Sequence, residues 1–275
     1  MDQALLPALE LVEASAWHDV FAAAPRDFAE RVGLRTERLG SATLVVMASV
    51  RLPSFNRVIG LGVGEPATEA MIDGALEIFG QAGVDTFWLP VSPTAQPAEL
   101  PEWLRARGLE PLGNWAKVYR GRDPMGAIST ELEVVEATTP ALAASFSRVV
   151  RKSFELPAQV GPLFESLVGR AGWRVFLALE NGQPVAAGAG LVQGDVAWLG
   201  IDATLPSRRR QGGQGAIMRE RVRASIGAGC RWMVGEVEES LPERPNPSHH
   251  NTIRNGFQVA YLRPNYGPRP APAAT

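Results

Sequence analysis

Cysteine is almost absent from this chain: Cys230 is the only one in 275 residues. No intramolecular disulfide can form, and a single thiol fits a reducing compartment. A charge surplus is absent too. The 27 basic and 29 acidic side chains leave a formal net charge of −2, whereas proteins devoted to nucleic acid or to membrane surfaces usually make a whole domain basic. Neither a nucleic-acid nor a membrane partner is therefore expected. No apolar run approaches the roughly 18 residues that a membrane-crossing helix needs. The opening stretch "MDQALLPALELVEASAWHDV" carries acids where a secretion signal needs a basic flank. A soluble cytoplasmic protein is expected. Histidine is scarce as well, with three in all. The adjacent pair His249-His250 would point in different directions on a helix with no third ligand nearby, so no metal site is expected.

What the chain does have is length and apolar content. At 275 residues and 45% hydrophobic, it can form one large or two ordinary domains with cores of their own. The stretch "YRGRDPMGAIST", Tyr119 to Thr130, is rich in Gly, Pro and small polar residues and reads as a linker. The halves on either side echo each other. "RVIGLGVGEPATEAMIDGALEIFGQAGVDTFWLPV" runs strand, turn, amphipathic helix, Gly, strand, and "DVAWLGIDATLPSRRRQGGQGAIMRERVRASIGAGCRWMVGEV" repeats that order. "LRARGLEPLG" likewise sits opposite "TIRNGFQVAY". The offset between matched glycines drifts only from about 140 to about 148 residues, as for two copies separated by small insertions. A duplicated α/β fold is expected, divided into residues 1–122 and 131–275.

In the second half, "ELEVVEAT" reads as a strand, "PALAASFSRVVRKSF" as a helix opening on Pro140, and "PAQVGPLFESLVGR" as a second helix. "WRVFLALENGQPVAAGAGLVQGDVAWLGIDA" reads as three strands, with hairpin turns at Asn181-Gly182 and Gly194-Asp195. A third helix, the strand "RWMVGEVEE", a polar loop, a short helix and the strand "FQVAYLR" follow. This order implies a mixed sheet with helices on both faces. Cys230 reads as a packing residue ahead of its strand.

Between strand and third helix lies "SRRRQGGQGA", Ser207 to Ala216. Backbone amides are free at a helix start, and the helix dipole makes that end partly positive. Glycines let the amides come close to a ligand, and arginines supply delocalised charge suited to phosphate oxygens. The turn has the chemistry of a pyrophosphate cradle, but neither Walker-loop nor dinucleotide spacing. The same residues would also serve as a solvated basic turn with a glycine for tight packing.

With its flanks, "LGIDATLPSRRRQGGQGAIM" resembles the signature of the GNAT superfamily of acyl-CoA N-acyltransferases, an Arg/Gln-x-x-Gly-x-Gly/Ala turn leading into a helix. Arg210-x-x-Gly213-x-Gly215 fits outright, and Arg209-x-x-Gly212-x-Gln214 keeps the usual step from Pro206; both registers stay open. The final "IRNGF" strengthens the likeness, which covers residues 131–263 well and 1–120 as a degenerate copy. It implies two tandem GNAT-like domains in an α/β fold with a mixed sheet, the first degenerate. It further implies acetyl-CoA as cosubstrate. Its pyrophosphate would lie on Arg209, Arg210, Gln211, Gly212, Gly213, Gln214 and Gly215, and its pantetheine arm against the backbone of Ala203 and Thr204, like an added strand. Asn246, Ser248 and Asn251 stand where the family often contacts that arm, although Asn246 or Ser248 would equally serve as a helix cap.

The implied reaction is direct acetyl transfer to the primary amine of a small molecule, which needs a base for an amine of pKa about 10.4. Glu236 is the first candidate and Glu238, on the same strand face, the second. The helix where the family often carries an acidic tyrosine, "PSHHNTIRN", has none, leaving Tyr261, Tyr266 or solvent to protonate the thiolate. In the first half, "GVGEPATEAM" puts Glu65 and Pro66 where amides and arginines belong, so this half is expected to be silent and to shape the acceptor pocket or a homodimer face. Asn56 and Arg57 of "LPSFNR" are its candidates for facing the cleft. The alternative to an enzyme is a non-catalytic acyl-CoA-binding or regulatory protein, which the missing tyrosine favours.

Overall fold

The computed structural model describes residues 5–269; the outermost residues assigned above to the two halves, 1–4 and 270–275, lie outside them. The chain opens with helices α1 (Leu5–Ala22) and α2 (Arg26–Val32) and strands β1 (Leu34–Leu39), β2 (Ala42–Met47) and β3 (Arg57–Ile59). Helix α3 (Glu69–Gln81), strand β4 (Leu89–Pro90), helix α4 (Leu100–Ala106) and the long strand β5 (Leu109–Arg120) complete the first half. Thr68 starts α3 by accepting a hydrogen bond from the Met71 amide, as its residue type favours.

The second half begins with β6 (Glu133–Glu136), α5 (Pro140–Ser153) and α6 (Gly161–Glu165). The single helix expected over 157–170 is instead a 3-10 turn at Ala158–Val160 followed by the five-residue α6. Gly161 and Pro162 fall in its middle, and proline supplies no amide to continue a helix through that point. The expected meander follows as β7 (Trp173–Glu180), β8 (Gln183–Gln193) and β9 (Val196–Thr204). Then come α7 (Gly213–Gly227), β10 (Trp232–Glu238), α8 (Pro247–Arg254) and β11 (Gln258–Pro268).

Strands β1, β2 and β3 form an antiparallel sheet, and the other eight form a mixed sheet in the order β4-β11-β5-β10-β9-β8-β7-β6. A parallel bridge from Arg57 to Trp88, just ahead of β4, leads from one sheet to the other. The last strand of each half is thus exchanged. β5, from the first half, lies between β10 and β11, and β11, from the second, carries β4.

Alternation along the strands separates two faces. Val196, Trp198 and Val234 join α1, α5 and α6 in one core. Ala197, Leu199 and Met233 point the other way, into a core with Met218 and Val222 of α7 and with Cys230. Helices therefore cover both faces, as the strand–helix order implied.

Candidate active site

Strands β9 and β10 run parallel and are hydrogen-bonded only through the pairs Trp232–Val196, Met233–Ala197 and Val234–Trp198. Beyond that point they part. β9 remains paired to β8 as far as Thr204 and β10 to β5 as far as Glu238, so the inner edges of both strands are left open. A cavity of about 510 Å³ occupies this fork. Gly200, Ile201 and Asp202 line it from β9, Glu236 and Glu238 from β10, Gln214 from α7, and Asn246 from the start of α8. Ala203 and Thr204 carry the open edge of β9 onward but are not among the lining residues.

The bend that opens β9 is a bulge. Ile201 has φ +56°, an uncommon conformation for a β-branched residue, and the register against β8 shifts between Ala187 and Ala189. Buried Arg221 of α7 holds it: its guanidinium donates to the carbonyls of Ala189 (2.8 Å) and Gly200 (3.1 Å) and pairs with Asp202. The sequence reading, which took this stretch as a plain strand, found neither the bulge nor this arginine.

At the nominated turn, Gly212 adopts φ +81° and begins α7 with no side chain capping the helix. By contrast, Thr139 and Asn246 cap α5 and α8. Asn246 accepts from the Ser248 and His249 amides and donates to the Glu238 carbonyl, so its cap role is occupied even as it borders the cavity. The amides at Gly213, Gln214 and Gly215 have no side-chain acceptor, a set that fits an anion's oxygens. Of the three arginines, Arg208 pairs with Glu180 at 2.8 Å. Arg209 and Arg210 are exposed and have no ion-pair partner among the described residues. The linker packs alongside: Thr130 donates to the Gln211 carbonyl, and Ser129 and Thr130 lie against Gly212. Tight packing, the other purpose considered for the glycines, is also real, since a Cβ on Gly213 would sit 3.1 Å from that of Ala186.

Glu236 lies on the α1 side of the sheet, almost fully buried. The Trp198 indole donates to both its oxygens, at 3.0 and 3.2 Å, and Lys117 Nζ is 3.7 Å away. Burial raises its pKa above the usual carboxylate range, and the neighbouring Glu13 raises it further; Lys117, Arg57 and Arg263 oppose this. Glu13, on α1, is held low instead. Burial would lift it, but Arg263, Lys117 and Arg57 surround it and outweigh that. Lys117 Nζ lies 2.5 Å, and the Arg263 and Arg57 guanidinium groups 2.7 and 3.2 Å, from Glu13. Glu10 completes the cluster, 2.5 Å from Arg263.

The candidate acid Tyr261 is not at the cavity. Its hydroxyl donates to Glu10 at 2.7 Å, and burial together with that carboxylate raises its pKa strongly. Tyr266 bonds Arg105 and is not among the lining residues either. Arg57 lines the cavity, whereas Asn56 is spent on the backbone of Met47 and Val50. Cys230 is buried. Among the described residues, no group of three or more His, Cys, Asp or Glu could hold a metal, and no helix is long and apolar enough to cross a membrane.

The first half has the equivalent fork between β3 and β4, and the chain fills it itself. The Gln96 amide donates to the Gly62 carbonyl and the Gln96 carbonyl accepts from the Ala67 amide, both at 2.7 Å. A side chain on Gly62 would strike the Gln96 carbonyl at 2.5 Å. Glu65, the acid in place of the cradle, accepts from the Ser41 amide, and Thr68 caps α3. The edge at this fork is therefore occupied, and the start of α3 is capped.

Together these features define the fold of the GCN5-related N-acetyltransferases, in its tandem form. A GCN5-related N-acetyltransferase from Kribbella flavida superposes with a TM-score of 0.61 at 15% identity, over 95% of this chain and 96% of its own. A tandem GNAT protein from the clavulanic acid biosynthesis pathway gives 0.57 at 17% identity, over 96% and 94%. A GCN5-related N-acetyltransferase from Sphaerobacter thermophilus gives 0.58 at 14%, over 97% and 93%. No family model matches the sequence, and no curated protein matches it.

Proposed function

We propose that the chain is an acetyl-CoA-dependent N-acetyltransferase, with one working site in the second half, acting on the primary amine of a small molecule. The observation that carries this reading is the forked parallel pair β9–β10, whose open edges lead to an uncapped helix start flanked by two unpaired arginines. Free strand edges accept an extended amide-bearing arm as they would another strand, and free amides with guanidinium groups suit its diphosphate.

The bound thioester supplies an activated acetyl group. Glu236 takes a proton from the acceptor's ammonium, directly or through water, and the neutral nitrogen attacks the thioester carbonyl. The C–N bond forms, the C–S bond breaks, the sulfur leaves as thiolate, and the nitrogen gives its second proton to solvent. Net, ammonium and thioester give amide, thiol and one proton. The raised pKa of Glu236 moves it towards that task. With no tyrosine at the cavity, the thiolate is protonated by solvent.

Calorimetry with acetyl-CoA, followed by thiol release with a panel of amines, tests the proposal. Binding and amine-dependent release are expected; absence of heat overturns it. Binding without release from any amine would instead favour the non-catalytic acyl-CoA-binding reading, to which the position of Tyr261 lends support.

A further inference from the structure

The cavity passes through the sheet at the fork, and its two ends differ in chemistry. On the α7–α8 side it meets Gln214, Asn246 and Ser248; on the other side it is walled by rings. Trp17 lies edge-on to Phe55 at 5.9 Å and to Trp198 at 6.0 Å, and Phe55 to Phe164 at 6.5 Å. Trp88 and Trp115 form a second edge-on pair at 5.6 Å. Leu52 and Phe154, 39% and 50% exposed, stand at the rim. Two carboxylates line this face of β10, buried Glu236 and, further out, Glu238, which pairs with Arg244; Arg57 is the one cation in the lining and is already paired with Glu13.

Two side chains of this wall carry unsatisfied polar atoms. Trp17 Nε1 and Arg57 Nε are both buried without a hydrogen-bond partner. They belong to adjoining groups, since the Arg57 guanidinium carbon lies 4.6 Å from the Trp17 ring centre. Both are donors only, and a buried donor left unpaired is costly.

Resting on the acetyltransferase reading, we propose that the acceptor is a monoamine on a flat apolar ring system that also carries an oxygen acceptor. The ring packs on the cavity face of Trp17 and Phe55, the amine reaches Glu236, and the oxygen accepts from Trp17 Nε1 and Arg57 Nε. A polyamine or aminoglycoside would bring further ammonium groups among these rings, where Glu236 is the one buried carboxylate and the outer Glu238 already pairs with Arg244.

Calorimetry and steady-state kinetics on the full chain compare 4-methoxyphenethylamine, phenethylamine and spermidine. The methoxy amine is expected to exceed phenethylamine by about 10-fold in affinity and in kcat/KM, the value of one neutral hydrogen bond. Spermidine is expected to be the poorest. Trp17→Phe keeps the ring, removes one of the two donors and should reduce the methoxy preference several-fold. Phe154→Ala, at the rim, tests the wall without touching the core and should weaken both aromatic amines several-fold; thermal melting checks that each variant is folded. A preference for spermidine, equal use of the two aromatic amines by the parent protein, or a methoxy preference that is undiminished in Trp17→Phe would overturn the assignment. Aromatic amines binding as expected while acetyl-CoA fails to bind would sink the transferase reading and leave the pocket assignment standing.

Discussion

The Trp198 indole nitrogen is 3.0 Å from one oxygen of Glu236 and 3.2 Å from the other, so the carboxylate is fixed at the floor of the fork. Glu236→Gln keeps an oxygen for that indole and removes the base. Turnover should fall about 10²- to 10⁴-fold, while acetyl-CoA affinity by calorimetry stays within about twofold.

Rate against pH reports the same group from another side. Only the deprotonated Glu236 accepts a proton, so kcat/KM should rise with pH through its raised pKa. Glu13 helps to raise that pKa and Lys117 lowers it. Glu13→Gln therefore moves the acid limb to lower pH and Lys117→Met moves it higher. Limbs that coincide in all three proteins would refute the coupling.

Glu13 should also appear in stability. Its folded pKa lies below the ordinary 4.5, so its contribution is present above that pH and is lost as pH falls below it. Glu13→Gln strands buried Arg57, leaves Lys117 only Glu236 and Arg263 only Glu10, and should cost about 3–5 kcal/mol at pH 7. Chemical denaturation from pH 7 to 3 should show the difference from the parent shrinking.

Arg209 and Arg210 have no partner to lose, unlike Arg208. Reversing both to Glu should raise the Kd for acetyl-CoA about 10- to 100-fold. Arg208→Glu should change it by less than about threefold. An unchanged Kd in the double variant would remove the cradle from the account.

Arg221 holds the bulge from beneath. Arg221→Met leaves Asp202 and two carbonyls without their donor and should destabilise the fold by about 3–5 kcal/mol. Arg221→Lys restores charge but not the fork of donors, so it should recover only part of this.

Titration should find one acetyl-CoA per chain, because Gln96 already occupies the first half's strand edge. A stoichiometry of two would show that this segment yields.

Much of this arrangement could be read from local patterns. Asn181-Gly182 and Gly194 marked the hairpins, Pro140 opened α5, and the glycine turn opened α7. Strand alternation put Glu236 on the fork's face because that pattern needs only its own strand. What escaped was set by pairing across long distances. Nothing near Lys117 announces that β5 will lie beside β10, so the cluster of Glu10, Glu13, Lys117 and Arg263 was invisible, as was Trp17. Arg221 sits on a helix in a run of charges and looks solvent-facing until the bulge gives it carbonyls. The self-filled fork was half legible: Glu65 and Pro66 signalled a lost cradle, but Gln96 lies about 30 residues further on and carries no motif.

The exchange of β5 and β11 bears on how the chain can be dissected. Cut between residues 121 and 130, it should not yield two self-sufficient pieces. The carboxyl-terminal fragment would keep the glycine turn but expose the flank of β10 that β5 covers, and its own β11 would have nothing to sit on. Co-expressed, the fragments should clasp each other without a covalent link. Made alone, each should aggregate through the ribbon its missing counterpart protects.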